Sequence, residues 1–287
     1  MDTAEEFLLR LQGYGQMAVA LSGGVDSATL AKAAVLALGD RAVAVTAVSE
    51  LTSAEERRAA HEIAAAMGIR QVELAVQELM DPLVAVNDEE RCYHCKRDRF
   101  EALSLWAQRE GFAPVAEGSN VDDQGDYRPG MRAVAALFPR VVSPFLDAGW
   151  GKAAIRRQAK AWGLSVWNKP SAACLASRVA YGIPLTAERL AMVEEAERAV
   201  RPFAEGQLRV RHHGAIARIE AEATALPCLL EHRAEIVAAL QKIGFSYVTI
   251  DLMGYRMGSA NEVLKGGRTY GSNVSGDRHT DFFDGGG

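Results

Sequence analysis

The most constraining feature of this chain is an apolar run that breaks into glycines and restarts at once as a helix. Met17–Leu21 is continuously apolar, which predicts a strand buried on both faces. Ser22-Gly23-Gly24-Val25-Asp26-Ser27 follows directly, and Ser27–Leu38 is an Ala- and Leu-rich helical segment stopped by Gly39. A strand that hands over to a helix needs a crossover, so its neighbours in the sheet run parallel to it.

The alternation continues. Ala42–Val48 reads as a second buried strand. Ala54–Met67 reads as a helix, with Ser53 as N-cap, Glu56 three residues on and Gly68 as its stop. Gln71–Val76 is a third strand and Cys95–Arg109 a further helix. Pro114–Glu117 and Val141–Phe145 are short strands, and Lys152–Trp162 is a helix ended by Gly163. The expected fold is α/β, a doubly wound parallel sheet. After residue 184 the pattern changes. Thr186–Val200 and Leu229–Ile243 read as helices, and Gln207–His213, Ala215–Glu220 and Ser246–Leu252 as strands. This predicts a first domain over 1–184, a small α+β domain over 185–270, and a flexible tail over 271–287, with Tyr181-Gly182-Ile183-Pro184 as the linker.

Of the 287 residues, 49% are hydrophobic and 24% charged, and the net charge is -5. That acidic balance argues against nucleic acid as the main partner, which would call for a basic face. Apolar stretches such as Ala31–Gly39 fall far short of the roughly 20 residues that cross a bilayer. The start Met1-Asp2-Thr3-Ala4-Glu5-Glu6 has no apolar core of a signal peptide, so the expected compartment is the cytoplasm. In a reducing compartment, the four cysteines (Cys92, Cys95, Cys174 and Cys228) point to metal or chemistry over disulfides.

The glycine loop is suited to phosphate. A helix N-terminus presents free N–H groups and a positive dipole end. Gly23 and Gly24 permit close backbone approach, Ser22 and Ser27 add hydroxyls, and Asp26 can hold a magnesium ion. No lysine follows the glycines, so this is not a Walker A loop. A plain glycine turn capping a helix is the alternative. Cys92-Tyr93-His94-Cys95 precedes the predicted helix between Arg91 and Lys96-Arg97, and Cys174 stands between Lys169 and Arg178. Positive neighbours favour thiolate. Three thiolates could hold three corners of a [4Fe–4S] cluster, or zinc together with His94; spacing does not decide between them. Cys228 reads as a core residue.

The hexapeptide resembles the loop of the PP-loop ATP pyrophosphatases, and Gly118-Ser119-Asn120-Val121-Asp122-Asp123 resembles a second element of that superfamily. With Cys92–Lys96, Lys169–Arg178 and Leu208-Arg209-Val210-Arg211-His212-His213-Gly214, the chain resembles the LarE sulfur transferases from about Phe7 to Lys265. The resemblance implies that ATP and magnesium adenylate a carboxylate of pyridinium-3,5-biscarboxylic acid mononucleotide. Sulfur then displaces AMP, on the way to the nickel-pincer nucleotide of lactate racemase. It places Gly118, Asn120 and Asp122 near the nucleotide, and Ser177, Arg178, Arg209 and Arg211 at phosphate. Glu194, Glu195 and Glu197 are a weaker metal candidate. Some family members spend the sulfur of a single cysteine, here Cys174. Others bind a [4Fe–4S] cluster on three, here Cys92, Cys95 and Cys174, and the three cysteines favour that type. A homo-oligomer, often a hexamer, and a separate sulfide source are also implied. The rivals are a tRNA-thiolating enzyme, an amide-forming synthetase and a nucleotide sensor.

Overall fold

A computed structural model describes residues 1–125, 129–170 and 173–265. The predicted tail at 271–287 lies outside the described residues, as do Ser171 and Ala172 before Cys174.

Helix α1 (Ala4–Gln12) leads into β1 (Met17–Ala20), α2 (Val25–Leu38), β2 (Ala42–Val48), α3 (Ala54–Met67) and β3 (Gln71–Ala75). Then come α4 (Pro82–Ala85), α5 (Arg91–Glu110), β4 (Val115–Ala116), α6 (Pro129–Ala136), β5 (Val141–Val142), α7 (Pro144–Asp147) and α8 (Lys152–Ala161). The five strands form one parallel sheet in the order β3-β2-β1-β4-β5. The chain winds outward from β1 to β3, then returns to the other side of β1 for β4. The helices that follow β1 and β4 therefore lie on opposite faces of the sheet, which places a crevice at the carboxyl ends of these two neighbours.

Both faces of the sheet are covered. On one, α1, α2 and α8 pack over the strands, and Phe7 stacks with Phe145 and Trp150 at 5.1 and 4.7 Å. On the other, Phe100, Leu103, Trp106 and Val134 from α5 and α6 cover β1, β2, β4 and β5. Each fully buried large side chain, such as Leu30 or Leu103, contributes about 1.5–3 kcal/mol.

Three expected elements differ. Helix α5 begins at Arg91, not Cys95, so the C-x-x-C lies within its first turns. Glu90 N–H donates to Asp88 Oδ1 (2.9 Å), and the turn so formed launches the helix early. The strand expected over Val141–Phe145 stops at Val142, because Pro144 opens a helix. The helix expected over Leu229–Ile243 is two, α10 (Leu226–Glu231) and α11 (Arg233–Ile243), broken at His232.

The later chain builds a second sheet. Helix α9 (Ala187–Val200), capped by Thr186, precedes β6 (Leu208–His213) and β7 (Ile216–Ala221), which pair antiparallel; β8 (Tyr247–Ile250) joins β7 in parallel. Val210, Ile219, Leu229 and Leu240 are among the residues of its separate core. A bridge from Val179 to His212, with Ala180 N–H donating to the His212 carbonyl (3.1 Å), ties this sheet to the segment after Cys174. Among the described residues, no helix is long and apolar enough to cross a membrane.

Candidate active site

The loop Ser22–Ser27 is held open by its own hydrogen bonds. Ser27 Oγ accepts from the Ser22 N–H (3.2 Å) and donates to the Gly24 carbonyl (3.1 Å). Gly24 is the N-cap of α2 and supplies no capping side chain, so the first N–H groups of the helix face the crevice uncapped by their own N-cap. Gly23 has φ +75°, and a Cβ there would stand 2.9 Å from Ala60 N of α3. Asp26 Oδ2 takes a 2.5 Å bond from Lys152 Nζ, while Oδ1 is buried with no hydrogen-bond partner among the described residues. Burial pushes the Asp26 carboxyl up and Lys152 pulls it down. An orphaned carboxylate oxygen beside a phosphate loop suits a hard cation such as magnesium.

The loop after β4 closes against the first one. A Cβ on Gly118 would stand 3.1 Å from Asp26 Cβ and 3.2 Å from Ser27 N, so glycine lets the two loops touch. Buried Glu117 accepts from Lys96 Nζ (3.3 Å), Ser119 Oγ (2.8 Å) and Ser143 Oγ (2.5 Å). Asn120 Oδ1 accepts from the Asp122 N–H, and Asp122 Oδ2 from the Lys152 N–H (2.7 Å). Asn120 and Asp122 thus shape the loop through backbone contacts.

A cavity of ≈ 340 Å³ lies between the loops, the size of a small-ligand site. Ser22, Asp26, Ser27, Glu117, Gly118 and Ser119 line one part, and Lys96, Arg99, Cys95 and Cys174 line another. Cys95 and Cys174 also share one apolar cluster with Leu51 and Leu175. Cys92 lies outside the lining, with its Sγ 3.6 Å from Arg91 Nη2, and close enough to Cys174 to affect its ionisation. The fourth cysteine, Cys228, is half-buried in α10.

At Cys95 and Cys174 burial works against the thiolate character that flanking charge predicts. Burial pushes Cys95 well above its usual value, with Arg99 opposing, and pushes Cys174 up, with Arg91 opposing. Three of the flanking cations are engaged elsewhere. Lys96 goes to Glu117, Arg97 to Asp81 and Asp98, and Lys169 Nζ to the Gly23 carbonyl. Among the described residues, no group of three or more His, Cys, Asp or Glu side chains is arranged to hold a metal ion.

A second cavity of ≈ 110 Å³ lies between the start of α5, the segment after Cys174 and the second sheet, lined by Arg91, Ser177, Arg178, Arg211, His213 and Arg218 among others. Arg178 Nε bonds Glu197 Oε1 (3.0 Å) and Nη1 bonds the Cys174 carbonyl (2.9 Å). Arg211 bonds Glu220 Oε2 (2.8 Å), Ser259 Oγ and the Ser177 carbonyl. Arg209 bonds only the Leu208 carbonyl and stacks on Tyr255, with no ion pair among the described residues. Of the two strand arginines, Arg209 therefore has charge to spare. Glu197 is the partner of Arg178, and Glu194 accepts from the Ala54 N–H at the start of α3.

Residues 7–103 match the family model described as NAD synthase. Over 255 residues the chain is 34% identical to pyridinium-3,5-bisthiocarboxylic acid mononucleotide synthase of Lactiplantibacillus plantarum, covering 88% of this chain and 92% of that protein. The chain belongs to the LarE family. It is 38% identical over 248 residues to an uncharacterized protein of Synechocystis, covering 86% of this chain and 92% of the other, and 34% identical over 170 residues to one of Methanocaldococcus jannaschii, covering 59% and 66%. Membership makes it an ATP-using enzyme of the PP-loop superfamily.

Several site residues of this LarE protein are not marked by any motif. Glu78, wholly buried, accepts from Arg99 Nε (2.6 Å), Ser49 Oγ and Cys95 Sγ (3.4 Å). Its position in a short turn among apolar residues gives no sequence signal. Asn87 is buried with φ +61°, and its amide donates to the carbonyls of Ala180 (2.9 Å) and Ile183 (2.8 Å). Its Oδ1 accepts from Arg91 Nη1, which also bonds the Ala176 carbonyl (3.2 Å). The only hint in sequence was an asparagine, the residue type that best tolerates positive φ after glycine.

Proposed function

We propose that this protein adenylates a carboxylate of pyridinium-3,5-biscarboxylic acid mononucleotide with ATP and then replaces AMP by sulfur, giving the thiocarboxylate. The observation that carries this reading is one cavity lined both by the phosphate loop and by the thiols of Cys95 and Cys174. The named Lactiplantibacillus relative supports the substrate class. Residues 1–184 act as the activating domain, and 185–270 as a smaller domain that helps hold the substrate.

In the first step the uncapped N–H groups at the start of α2, with Ser22 and Ser27, hold the phosphates, and Asp26 holds magnesium. A substrate carboxylate oxygen bonds to the α-phosphorus, and pyrophosphate departs with the electrons of the broken P–O bond. In the second step a sulfur nucleophile attacks the acyl carbon, and the C–O bond to AMP breaks. Arg209, with Ser177, Arg178 and Arg211 beside it, orients the substrate phosphate.

Three free thiols beside the buried guanidinium of Arg91 and the half-buried one of Arg99 suit a negatively charged group. Cys92, Cys95 and Cys174 would hold a [4Fe–4S] cluster, which supplies sulfide from its open iron when bound. The chain's own part is to exclude water, hold the thiols near the acyl adenylate and balance charge through Arg91 and Arg99. The enzyme works as a cytoplasmic homo-oligomer on a small nucleotide, supplied with sulfide by another protein.

Anaerobic purification, reconstitution and measurement of iron and sulfide test the cluster. Binding of about four irons per chain is expected. Absence of iron, with a protein mass reduced by one H₂S on turnover, would show instead that Cys174 gives up its own sulfur.

A further inference from the structure

Glu78 stands in the short turn after β3 and is wholly buried. A buried carboxylate is costly unless donors meet it, and here they come from two separate segments. Cys95 and Arg99, one helical turn apart on α5, both reach Oε1, the thiol at 3.4 Å and Arg99 Nε at 2.6 Å. Ser49 Oγ, from the loop after β2, donates to Oε2. Ser49 Oγ also accepts from the Leu51 N–H (3.2 Å). The Leu51 carbonyl in turn accepts from the N–H of Leu175 (3.1 Å), the residue after Cys174. One chain of hydrogen bonds thus runs from Cys95 through Glu78, Ser49 and Leu51 to the backbone beside Cys174. Cys95 and Cys174 are also the two cysteines that line the larger cavity. The apolar packing around these two thiols has no preferred direction, whereas the hydrogen bonds have preferred lengths and angles.

We propose that Glu78 is a positioning residue for sulfur transfer, and that its one carboxylate sets the spacing of Cys95 and Cys174 across the cavity. This rests on the reading above, in which both thiols serve the acyl adenylate. Glu78 does not itself line the cavity, so it acts through the side chains that it holds. Its first oxygen turns the Cys95 thiol and the Arg99 guanidinium to one side of α5. Its second anchors the turn whose Leu51 carbonyl seats the Cys174 segment. Without the Ser49 hydroxyl, both the Leu51 N–H and a buried carboxylate oxygen lose their bonds, and Cys174 is free to drift from Cys95.

The test is thiol bridging in the full chain with dibromobimane, which alkylates two neighbouring thiols and fluoresces once both have reacted. Peptide mass mapping assigns the bridge, and Cys92→Ser is present throughout to leave one pair. The readout is the ratio of the Cys95–Cys174 bridge to single labelling at either thiol, with Cys228 of α10 as the reference for general loosening of the fold. Ser49→Ala is expected to lower that ratio roughly three- to tenfold, the worth of one net hydrogen bond, with Cys228 labelling unchanged. Ser49→Thr keeps the hydroxyl and is expected to restore it. Glu78→Met combined with Arg99→Met removes the carboxylate without stranding the guanidinium, and is expected to lower the ratio at least as far. An unchanged ratio in both Ser49→Ala and the double variant, or a loss matched by faster Cys228 labelling, would overturn the positioning role while leaving the thiol pair intact. No Cys95–Cys174 bridge with Ser49, Glu78 and Arg99 all in place would overturn the reading of the two thiols as partners in one step, and the role of Glu78 with it.

Discussion

Replacing Gly23 by alanine puts a methyl group where the structure has no space. At φ +75° an L-residue costs about 1–2 kcal/mol. The new Cβ would stand 2.9 Å from Ala60 N, and 3.1 Å from both Ala59 Cβ and the Glu56 carbonyl oxygen. Two of these three atoms are backbone of α3, which is fixed by its Ser53–Glu56 capping box and by buried Ala60, Ile63 and Ala64, so the loop has to yield rather than the helix. Overpacking of this kind costs about 1–3 kcal/mol. The two contributions total about 2–5 kcal/mol, a large part of a typical stability of about 5–15 kcal/mol. Thermal unfolding followed by circular dichroism is expected to show a midpoint lower by roughly 5–15 °C. A loop displaced by even a few tenths of an ångström also loses its grip on phosphate, so added ATP should raise the midpoint of wild type but not of the variant. Gly24→Ala is the control: its φ is -89° and its nearest neighbour, Ser22 Oγ, lies 3.6 Å from the added Cβ. The reasoning fails if Gly23→Ala melts with wild type and is stabilised by ATP to the same degree.

Cys174→Ser is expected to abolish thiocarboxylate formation, read by mass spectrometry, while substrate-dependent pyrophosphate release continues; loss of both would place Cys174 in activation instead of transfer. Glu220→Ala leaves Arg211 and Arg218 without their shared buried carboxylate and is expected to cost about 3–5 kcal/mol in urea unfolding, partly recovered when Arg211→Met is added. His213 is pushed down to about 4 from its ordinary 6.5, by burial first and then by Arg218 and Arg211. A histidine kept neutral in the fold but protonated in the unfolded chain contributes stability that is intact above pH 6.5 and lost as pH falls towards 4. His213→Gln should flatten the melting profile across that window, and an unchanged slope would exclude His213 as its source.

The phosphate loop, the Ser53–Glu56 capping box and the first three strands were legible because each is local: a turn, a cap or an apolar run within a few residues. Helix α1 carried the same local signal, with Thr3 and Glu6 as a capping box ahead of Phe7 and Leu11 and two acids in its first turn. The early start of α5 was not legible. Cysteine, tyrosine and histidine are indifferent helix formers, and Arg91 holds its turn through Asn87, four residues back, and the distant Ala176 carbonyl. The cysteines show the sharper limit. Flanking lysines and arginines suggest thiolates, but neighbours along a helix point to different faces. Burial is set by Leu51 and Leu175, distant from the C-x-x-C in sequence. Lys152 and Lys169 are ordinary helix-start and loop lysines until the fold brings them to Asp26 and Gly23.

Asn87 has a consequence for how this molecule can move and vary. One amide grips the stretch between the two sheets through the Ala180 and Ile183 carbonyls, and its oxygen grips Arg91, one residue from Cys92 and bonded in turn to Ala176, two residues from Cys174. The placement of the second sheet and the spacing of the thiols are therefore tied to one side chain. A rocking of the second sheet against the first either carries both cysteine segments with it or tears out the same side chain. Altering the stretch between the sheets therefore shifts the thiols as well, and grafting the cysteines onto another scaffold requires transplanting this cross-brace with them.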